Sequence, residues 1–464
     1  MDYFEINFYA LVALVAVGNF ALAKTVELRR MWLVAGSVVF LASWNWPSAL
    51  TAALNSVFVF GIGKTFLNGS HAKIKLAAGV ASQILFLILV RVLVPSNVEA
   101  GYTAKFISFT YLIGASYIVL QHISYLVDVY RQLIPVESSL SRFLLYSLYF
   151  PKVLVGPIEG YAEFQARVER PVLEIQFVRA TFWIALGAFK GLVIANRALE
   201  FYSLASSGYD AASKPFLFFW MTALMTTVTI YCDFSALVDI GRGVSLFFGI
   251  ELTPNFNQPY FATSPIDYWR RWHITLGSWM KKYVFFPVLL MMRRARFGAS
   301  ISTPMSMNAA TSIAIAATML VVAAWHGFYA EIFVWALSWA ALQSLQVFLV
   351  SHFGHRFKFE SLPGRIFTGL LTFHASALIG LYTFHLLFFK REMPGLSAFT
   401  DAHTNQAIVE YRLLGLFVLL MIVIETYEKK NPSNQFYFVM ALLLSLLVSM
   451  YMTGSSYLFY YMRL

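Results

Sequence analysis

The segment Ser312-Ile-Ala-Ile-Ala-Ala-Thr-Met-Leu-Val-Val-Ala-Ala324 contains no charged side chain and leads directly into Trp325-His326-Gly327. Together with the residues before it, it has the length of a membrane helix and lacks the strict alternation of a membrane β-strand. A titratable imidazole at the end of such a segment is costly, and ionisable residues within membranes usually mark functional sites. The segment therefore predicts a membrane helix that carries a candidate functional residue, His326, at its end.

The composition of the whole chain agrees with a membrane protein. Of the 464 residues, 59% are hydrophobic and 12% are charged, and the mean hydropathy is +0.67. Soluble domains carry about 25% charged residues, so this composition excludes a soluble enzyme. Apolar segments of mostly about 17–25 residues recur along the chain. They predict an all-α polytopic integral membrane protein with about 11 transmembrane helices and additional re-entrant or interfacial helices.

The charges of the chain indicate topology and partners. Although the net charge is +11, Lys and Arg cluster in short loops and form no continuous basic stripe, so we exclude nucleic acid and expect a lipid bilayer as the partner. Lys24 and Arg29–Arg30 follow the first apolar segment, which predicts a cytoplasmic loop there. The N-terminus, with Asp2 and Glu5, is therefore expected outside the cytoplasm.

Two stretches depart from simple hydropathy. Phe150-Pro-Lys-Val-Leu-Val-Gly-Pro-Ile158 has two prolines, which break the helical hydrogen-bond ladder and leave carbonyl groups that lipid cannot satisfy. This segment must be buried in protein or line a cavity. The region from Glu251 to Tyr283 is rich in Pro, Asn, Asp, Trp, Arg and His and cannot lie in lipid. We expect short helices there, at the cytoplasmic interface.

A second histidine lies in this polar region, in Asp267-Tyr-Trp-Arg-Arg-Trp-His273. An amphipathic interfacial helix would account for Trp269, Arg270 and Arg271, because Trp and snorkelling Arg favour the headgroup level. It accounts less well for Asp267 and His273. The same positive aromatic cluster would also suit an anionic, adenine-bearing ligand such as coenzyme A, through phosphate pairing and ring stacking.

The chemistry of His326 also has two interpretations. Its imidazole can act as a base near neutral pH, with Trp325 as a pocket wall and Gly327 allowing close backbone approach. Alternatively, the histidine is hydrogen-bonded between helices and is purely structural. Asp239 and Arg242 are expected to form an ion pair, because residues three apart share a helix face. No carboxylate or cysteine accompanies His352 and His355, so we predict no metal site.

The chain resembles the membrane-bound O-acyltransferase (MBOAT) family, in particular its bacterial branch of alginate O-acetyltransferase-like and teichoic-acid D-alanylation proteins. The blocks that carry the resemblance occur in family order: Ile123-Ser-Tyr-Leu-Val-Asp-Val-Tyr-Arg131, Phe150 to Ile158, Tyr231-Cys-Asp-Phe-Ser-Ala-Leu-Val-Asp239, Asn255-Phe-Asn-Gln-Pro-Tyr260 through His273-Ile-Thr-Leu276, and Trp325-His326-Gly327. The resemblance implies a funnel-shaped helical bundle of a bacterial inner-membrane acyltransferase. We treat residues 1–464 as one membrane-embedded domain, with its motif-bearing core at about 100–330 and C-terminal helices and an aromatic tail at 331–464.

The resemblance assigns roles to individual residues. His326 is similar to the catalytic histidine of the family, and His273 is similar to its second site residue, which orients the donor or stabilises the oxyanion. Tyr461, in the aromatic tail, is similar to a tyrosine proposed to carry the acyl group, although an interfacial anchor explains it equally well. We predict that substrate or donor contacts come from the residues of these motifs: Asn255, Asp267, Trp269, Arg270, Arg271, Trp325 and Gly327.

The implied reaction moves an acyl group, expected to be acetyl, from a cytoplasmic thioester such as acetyl-CoA to a cell-envelope polysaccharide. We expect no bound cofactor. An extracytoplasmic SGNH-like acyltransferase or esterase and an acyl carrier protein are the implied partners. D-alanyl transfer from a carrier protein toward teichoic acid is the enzymatic alternative. A secondary transporter is the alternative from another class, although no second broken helix or inverted repeat is evident in the sequence.

Overall fold

A computed structural model describes residues 5–68, 70–92, 114–170, 176–199, 215–294, 306–353, 362–389, 404–430 and 432–451. Within these ranges the secondary structure is helical and contains no strand, which confirms the predicted all-α class. The helices are α1 (Ile6–Ala21), α2 (Val26–Thr65), α3 (Ala72–Val92), α4 (Ala115–Tyr130), α5 (Leu140–Leu148), α6 (Phe150–Val153), α7 (Tyr161–Val168), α8 (Phe177–Ala188), α9 (Pro215–Phe247), α10 (Pro265–Arg271), α11 (Ile274–Met280), α12 (Phe286–Arg294), α13 (Met307–His326), α14 (Ala330–Phe353), α15 (Leu362–Phe389), α16 (Thr404–Lys430) and α17 (Asn434–Tyr451).

Seven helices in the described part are long and apolar enough to cross a membrane, judged by length and composition. They are Val26–Thr65, Ala72–Val90, Phe177–Leu199, Trp220–Phe247, Met307–His326, Ala330–Phe353 and Pro363–Leu381. Two shorter apolar helices, Ile6–Ala21 and Asn434–Ser449, accompany them. The polytopic membrane class is thereby confirmed, whereas the count of about 11 spanning helices stays a prediction.

Helix α2 is interrupted at Asn45. Asn45 leaves helical geometry, with φ −163° and ψ 107°, and Pro47 follows it. Proline has no backbone N–H to donate and is tolerated in the first turn of a helix, so Pro47 fits the start of the helix that follows Asn45. The 40-residue helix is therefore two apolar helices that meet at Asn45.

The described residues form two compact units. The first unit takes them from residues 1–188, 237–253 and 437–441, and the second from residues 189–236, 254–436 and 442–464. The single membrane-embedded domain expected from the sequence stays a prediction. The two histidine motifs and the segment that begins at Asn255 belong to the second unit.

The Pro-broken segment lies in the core of the first unit. Every residue from Phe150 to Ile158 is buried, which confirms that this stretch is enclosed by protein. Lys152 donates hydrogen bonds to Gln121 Oε1 and, at 2.7 Å, to the carbonyl oxygen of Tyr146. Its Nζ atom also lies 4.8 Å and 4.7 Å from the ring centres of Tyr146 and Phe164. Polar acceptors and aromatic faces thus surround this buried amine.

Helix α13 brings His326 to its end. Ser306 caps the N-terminus, because its Oγ accepts a hydrogen bond of 3.3 Å from the Ala309 N–H. The helix ends at His326, and the Gly327 N–H still donates to the Ala323 carbonyl oxygen at 2.9 Å. The predicted membrane helix with a terminal histidine is therefore present as one continuous element.

Candidate active site

His273 stands at the turn between α10 and α11. Its backbone is left-handed, with φ 43° and ψ 56°, a conformation that residues other than glycine adopt rarely and at a cost of about 1–3 kcal/mol. Two backbone hydrogen bonds of 2.9 Å hold the turn against the preceding segment, from Asn257 N to Arg271 O and from Ile274 N to Asn255 O. Strained backbone of this kind persists where its surroundings determine it fully, and it clusters at functional sites.

The His273 imidazole is buried and oriented by a polar pair. Its Nδ1 atom lies 3.2 Å from Oδ1 of Asn255. The same oxygen accepts hydrogen bonds from Thr275, 3.1 Å from its backbone N–H and 2.8 Å from its hydroxyl. The ring packs edge-on against Phe234 of α9, with 4.9 Å between ring centres. The imidazole is thus fixed in position and in rotation.

Trp325 is the neighbour that His273 and His326 share. Its ring centre lies 6.1 Å from that of His273 and 4.7 Å from that of His326, edge-on to both. Trp325 is buried and His326 is half-buried. Trp335 of α14 contacts the His326 ring at 5.9 Å between centres. The two histidine motifs, distant in sequence, therefore form one site around Trp325.

The electrostatics of this site favour a neutral His273. Burial lowers the pKa of the His273 imidazole well below its ordinary value, and the charge that His326 can carry lowers it further. The turn that carries His273 lies outside the candidate membrane-spanning helices. At physiological pH His273 is accordingly an uncharged imidazole, which can accept one hydrogen bond and donate another.

The ring of Tyr329 lies close to the backbone of Gly327, where the sequence predicted a close approach. A Cβ atom added to Gly327 would lie 2.9 Å from two ring carbons of Tyr329, closer than real Cβ contacts. The chain leaves α13 in an extended conformation, with φ 164° and ψ 173° at Gly327. A larger residue would displace the Tyr329 ring, which stands beside the histidine motif.

The residues of α10 that were predicted to bind the donor differ in their contacts. Ser264 caps this helix, and Asp267 Oδ2 accepts from the Thr263 N–H at 3.2 Å and from Arg271 Nε at 3.0 Å. Arg270 is exposed. The Trp269 ring packs against those of Trp335 and Trp339, with 5.7 Å and 5.6 Å between centres. The carboxylate and one guanidinium thus stabilise the helix itself, and donor binding by these residues stays a prediction.

Some site residues were not predicted from the sequence. Phe234, Thr275 and Trp335 each contact a histidine or its polar partner, but none of them stands in a pattern that indicates such a contact. Elsewhere, the predicted ion pair is present, with 3.6 Å between Arg242 and Asp239. Tyr461 and His355 lie outside the described residues.

A buried ion pair in the second unit was not predicted from the sequence. Lys190 lies in a π-helical turn after α8, and its Nζ is 2.5 Å from Glu425 Oε1 on α16. The Tyr231 hydroxyl donates to both oxygens of Glu425 at 3.0 Å and 3.2 Å. The Tyr231 ring contacts Trp272, the residue before His273, at 6.4 Å between centres. Helix α16 therefore braces the aromatic residues beside the site.

The comparisons with known proteins identify the domain that holds this site. The model of the membrane-bound O-acyltransferase family, MBOAT, matches residues 124–346. These residues are an MBOAT domain. The predicted family is thereby confirmed for this domain, and together with the apolar helices the match makes the chain a multi-pass membrane protein. Both histidine motifs and the Asn255 segment fall inside the match, whereas α16 lies beyond it.

Several relatives carry the names of the branches that the motifs resemble. A peptidoglycan O-acetyltransferase of Helicobacter pylori is 31% identical over 305 residues, which cover 58% of this chain and 57% of the relative. A probable alginate O-acetylase of Azotobacter vinelandii is 27% identical, covering 50% of this chain and 44% of the relative. A teichoic acid D-alanyltransferase of Bacillus subtilis is 23% identical, covering 59% and 68%. The chain thus spans about half the length of the first two relatives.

Proposed function

We propose that this protein is an O-acyltransferase of a bacterial inner membrane. It would transfer an acyl group, expected to be acetyl, from a cytoplasmic thioester such as acetyl-CoA to a hydroxyl of a cell-envelope polysaccharide. The observation that carries the proposal is the pairing of His273 and His326 around Trp325 inside an MBOAT domain. The relatives support the choice of reaction, because their names describe O-acetyl and D-alanyl transfer to peptidoglycan, alginate and teichoic acid.

In the proposed reaction His326 is the general base. Its imidazole takes the proton of the attacking hydroxyl, and the hydroxyl oxygen forms a bond to the thioester carbonyl carbon. The tetrahedral intermediate collapses as the carbon–sulfur bond breaks, and the imidazolium returns the proton to the leaving thiolate. His326 suits this role better than His273, because it is half-buried whereas only 2% of the His273 surface is exposed.

The donor, the topology and the partners belong to the same proposal. An exposed Arg270, next to Trp269 in the chain, would bind the phosphates of the donor on the cytoplasmic face. The N-terminus would lie outside the cytoplasm, where an SGNH-like partner or the polysaccharide receives the acyl group. Tyr461 would either carry the acyl group or anchor the chain at the interface. Consistent with the sequence-based expectation, the proposed reaction requires no bound cofactor.

D-alanyl transfer is the second candidate, and one observation favours it. The matched region covers 68% of the teichoic acid D-alanyltransferase of Bacillus subtilis, more than of either O-acetyl relative described above. In this case the donor would be a D-alanyl thioester on a carrier protein. The MBOAT match favours either acyl transfer over secondary transport.

The decisive experiment supplies both donors to the purified chain in proteoliposomes without an ion gradient. Thiol release and label transfer are measured with radiolabelled acetyl-CoA and with a D-alanyl carrier-protein thioester, using peptidoglycan, alginate and teichoic-acid fragments as acceptors. Acetyl transfer that His326→Ala lowers by about 10²–10⁴-fold is the expected result. Turnover of only the D-alanyl thioester would replace the acetyl donor in the proposal. Full activity of the His326→Ala protein would overturn the proposed role of this residue.

A further inference from the structure

The tautomer of His273 follows from the atoms around it, through the orientation of the Asn255 amide. The backbone N–H of Thr275 can only donate, and it lies 3.1 Å from the amide atom assigned as Oδ1. An NH₂ group in that place would put two donors face to face. The Thr275 hydroxyl, 2.8 Å from the same atom, supports the assignment. The atom that faces His273 is therefore the carbonyl oxygen of Asn255, an acceptor.

An acceptor at this position determines which ring nitrogen carries the proton. His273 Nδ1 is 3.2 Å from Asn255 Oδ1, and this contact is a hydrogen bond only if Nδ1 bears hydrogen. A neutral imidazole has a single N–H. Nε2 of His273 then carries the lone pair and faces its surroundings as an acceptor.

The surroundings keep the ring neutral. The groups packed against it include Phe234 from α9, Trp325 from α13 and the Asn255 amide, and these three are uncharged. The titratable group that acts on the imidazole is His326, whose positive form disfavours a second imidazolium nearby. A second positive charge is thus opposed by burial and by the partner histidine together.

We propose that Asn255 is a positioning residue that holds His273 as its Nδ1–H tautomer, so that Nε2 serves the reaction as a hydrogen-bond acceptor. This inference rests on the proposed function and narrows it. Of the two roles that the family resemblance leaves to His273, stabilising an oxyanion requires an N–H at Nε2, which this tautomer does not have. Orienting an O–H or N–H group of a substrate or of His326 requires the lone pair, which it does have. Asn255 thus acts through His273, and not by binding the donor directly.

The first arm of the test measures the tautomer without any acyl transfer. The full chain is labelled with ¹⁵N-histidine and its imidazole shifts are recorded in bilayers. With nine histidines in the chain, the His273 signals are assigned by their loss in His273→Gln. The expected result is a protonated Nδ1 and an unprotonated Nε2, which Asn255→Leu converts into a mixture of tautomers. A protonated Nε2 in the parent protein would overturn the proposal, even if acyl transfer were fully established.

The second arm uses a substitution that preserves the acceptor but adds charge. In Asn255→Asp the carboxylate can accept the same three hydrogen bonds, and its negative charge stabilises the protonated His273. The pKa of His273 rises, so a smaller fraction is neutral at a given pH. We therefore expect the pH at which the ¹⁵N shifts of the His273 imidazole report its protonation, recorded in bilayers as in the first arm, to rise by about one unit or more.

Asn255→Leu and a matched control complete the experiment. The leucine removes the acceptor, and we expect kcat to fall by about 10- to 100-fold, as is typical when the outer partner of a functional histidine is lost. Asn257→Ala changes an exposed asparagine of the same loop, whose side chain bonds Lys429 at 2.7 Å, and should keep the parent rate and pH profile. Folding is checked by thermal unfolding and gel filtration. If Asn255→Leu does not fold, the Asp variant decides: an unmoved protonation midpoint of His273 would contradict the positioning role.

Discussion

Two buried histidines show how differently the same side chain is used in the two units. His122 of α4, in the first unit, has side-chain partners at both ring nitrogens: Nδ1 is 3.0 Å from Gln83 Oε1 and Nε2 is 3.0 Å from Ser147 Oγ. Gln83 in turn exchanges hydrogen bonds of 2.9 Å and 3.1 Å with Asn55. These four side chains come from α2, α3, α4 and α5 and are all buried. The His122 network therefore joins four helices by polar contacts.

His273, in the second unit, has a different setting. Asn255 fixes Nδ1, and aromatic rings set the plane of the imidazole toward Trp325 and His326. The backbone at His273 is left-handed, whereas His122 lies inside a regular helix. Both imidazoles are buried, so burial alone does not distinguish them. A strained turn and a second histidine nearby distinguish the candidate site from the His122 network.

The largest effect is expected at His326. Replacing it with Ala removes the proposed base and should lower acyl transfer by about 10²–10⁴-fold, with the midpoint of thermal unfolding nearly unchanged. The rate is measured with labelled acetyl-CoA in proteoliposomes, and folding is followed in the same preparation. A matched loss of activity and stability would instead place His326 with His122, as a structural histidine.

The next effect tests the support that α16 gives to the second unit. Glu425→Gln leaves the buried amine of Lys190 without its carboxylate and should lower the free energy of unfolding by about 3–5 kcal/mol. Glu251→Gln is the control, because it breaks the more exposed pair with Arg179 and should cost about 0–1 kcal/mol. Unfolding in detergent, measured by denaturant titration, compares the two variants. Equal costs would show that α16 does not brace the site through this pair.

At His122 we expect a smaller effect, which lowers stability and leaves the acyl-transfer rate unchanged. His122→Leu removes the partner of Gln83 and Ser147, and each polar group left unsatisfied costs about 1–3 kcal/mol. The unfolding temperature should fall while the acyl-transfer rate per folded molecule stays at the parent value. A large loss of rate without a loss of stability would remove the distinction drawn between the two histidines.

The sequence predicted those features that depend on local chemistry. The burial of the Pro-broken segment and the helix that ends at His326 both follow from where proline and charge can lie in a membrane. The two histidine motifs were also recognised. Their pairing was implied by family resemblance alone, because the contact through Trp325 joins residues far apart in the chain.

The remainder depends on tertiary packing that leaves no local pattern. The members of the His122 network are single polar residues on four different helices, and nothing in any one helix indicates its partners. The same holds for Glu425, which lies beyond the matched domain yet contacts Lys190 and Tyr231. Asn255 was placed among the donor-binding residues because it opens a family motif. Its contact with His273, found only in the folded chain, suggests the different role proposed above.

The smallest effect separates Asp267 from Arg270, two residues that the sequence placed together at the donor. The Asp267 carboxylate is paired with Arg271 within α10, and its negative charge would repel an anionic thioester donor. Asp267→Asn should therefore cost about 0.3–0.5 kcal/mol of stability, typical of such a helix pair, and leave the KM for acetyl-CoA within about twofold. Arg270→Gln, at the exposed neighbour, should raise that KM more. Steady-state kinetics of both variants decide the point, and a larger rise in KM for Asp267→Asn would mean that the carboxylate, and not the exposed guanidinium, contacts the donor.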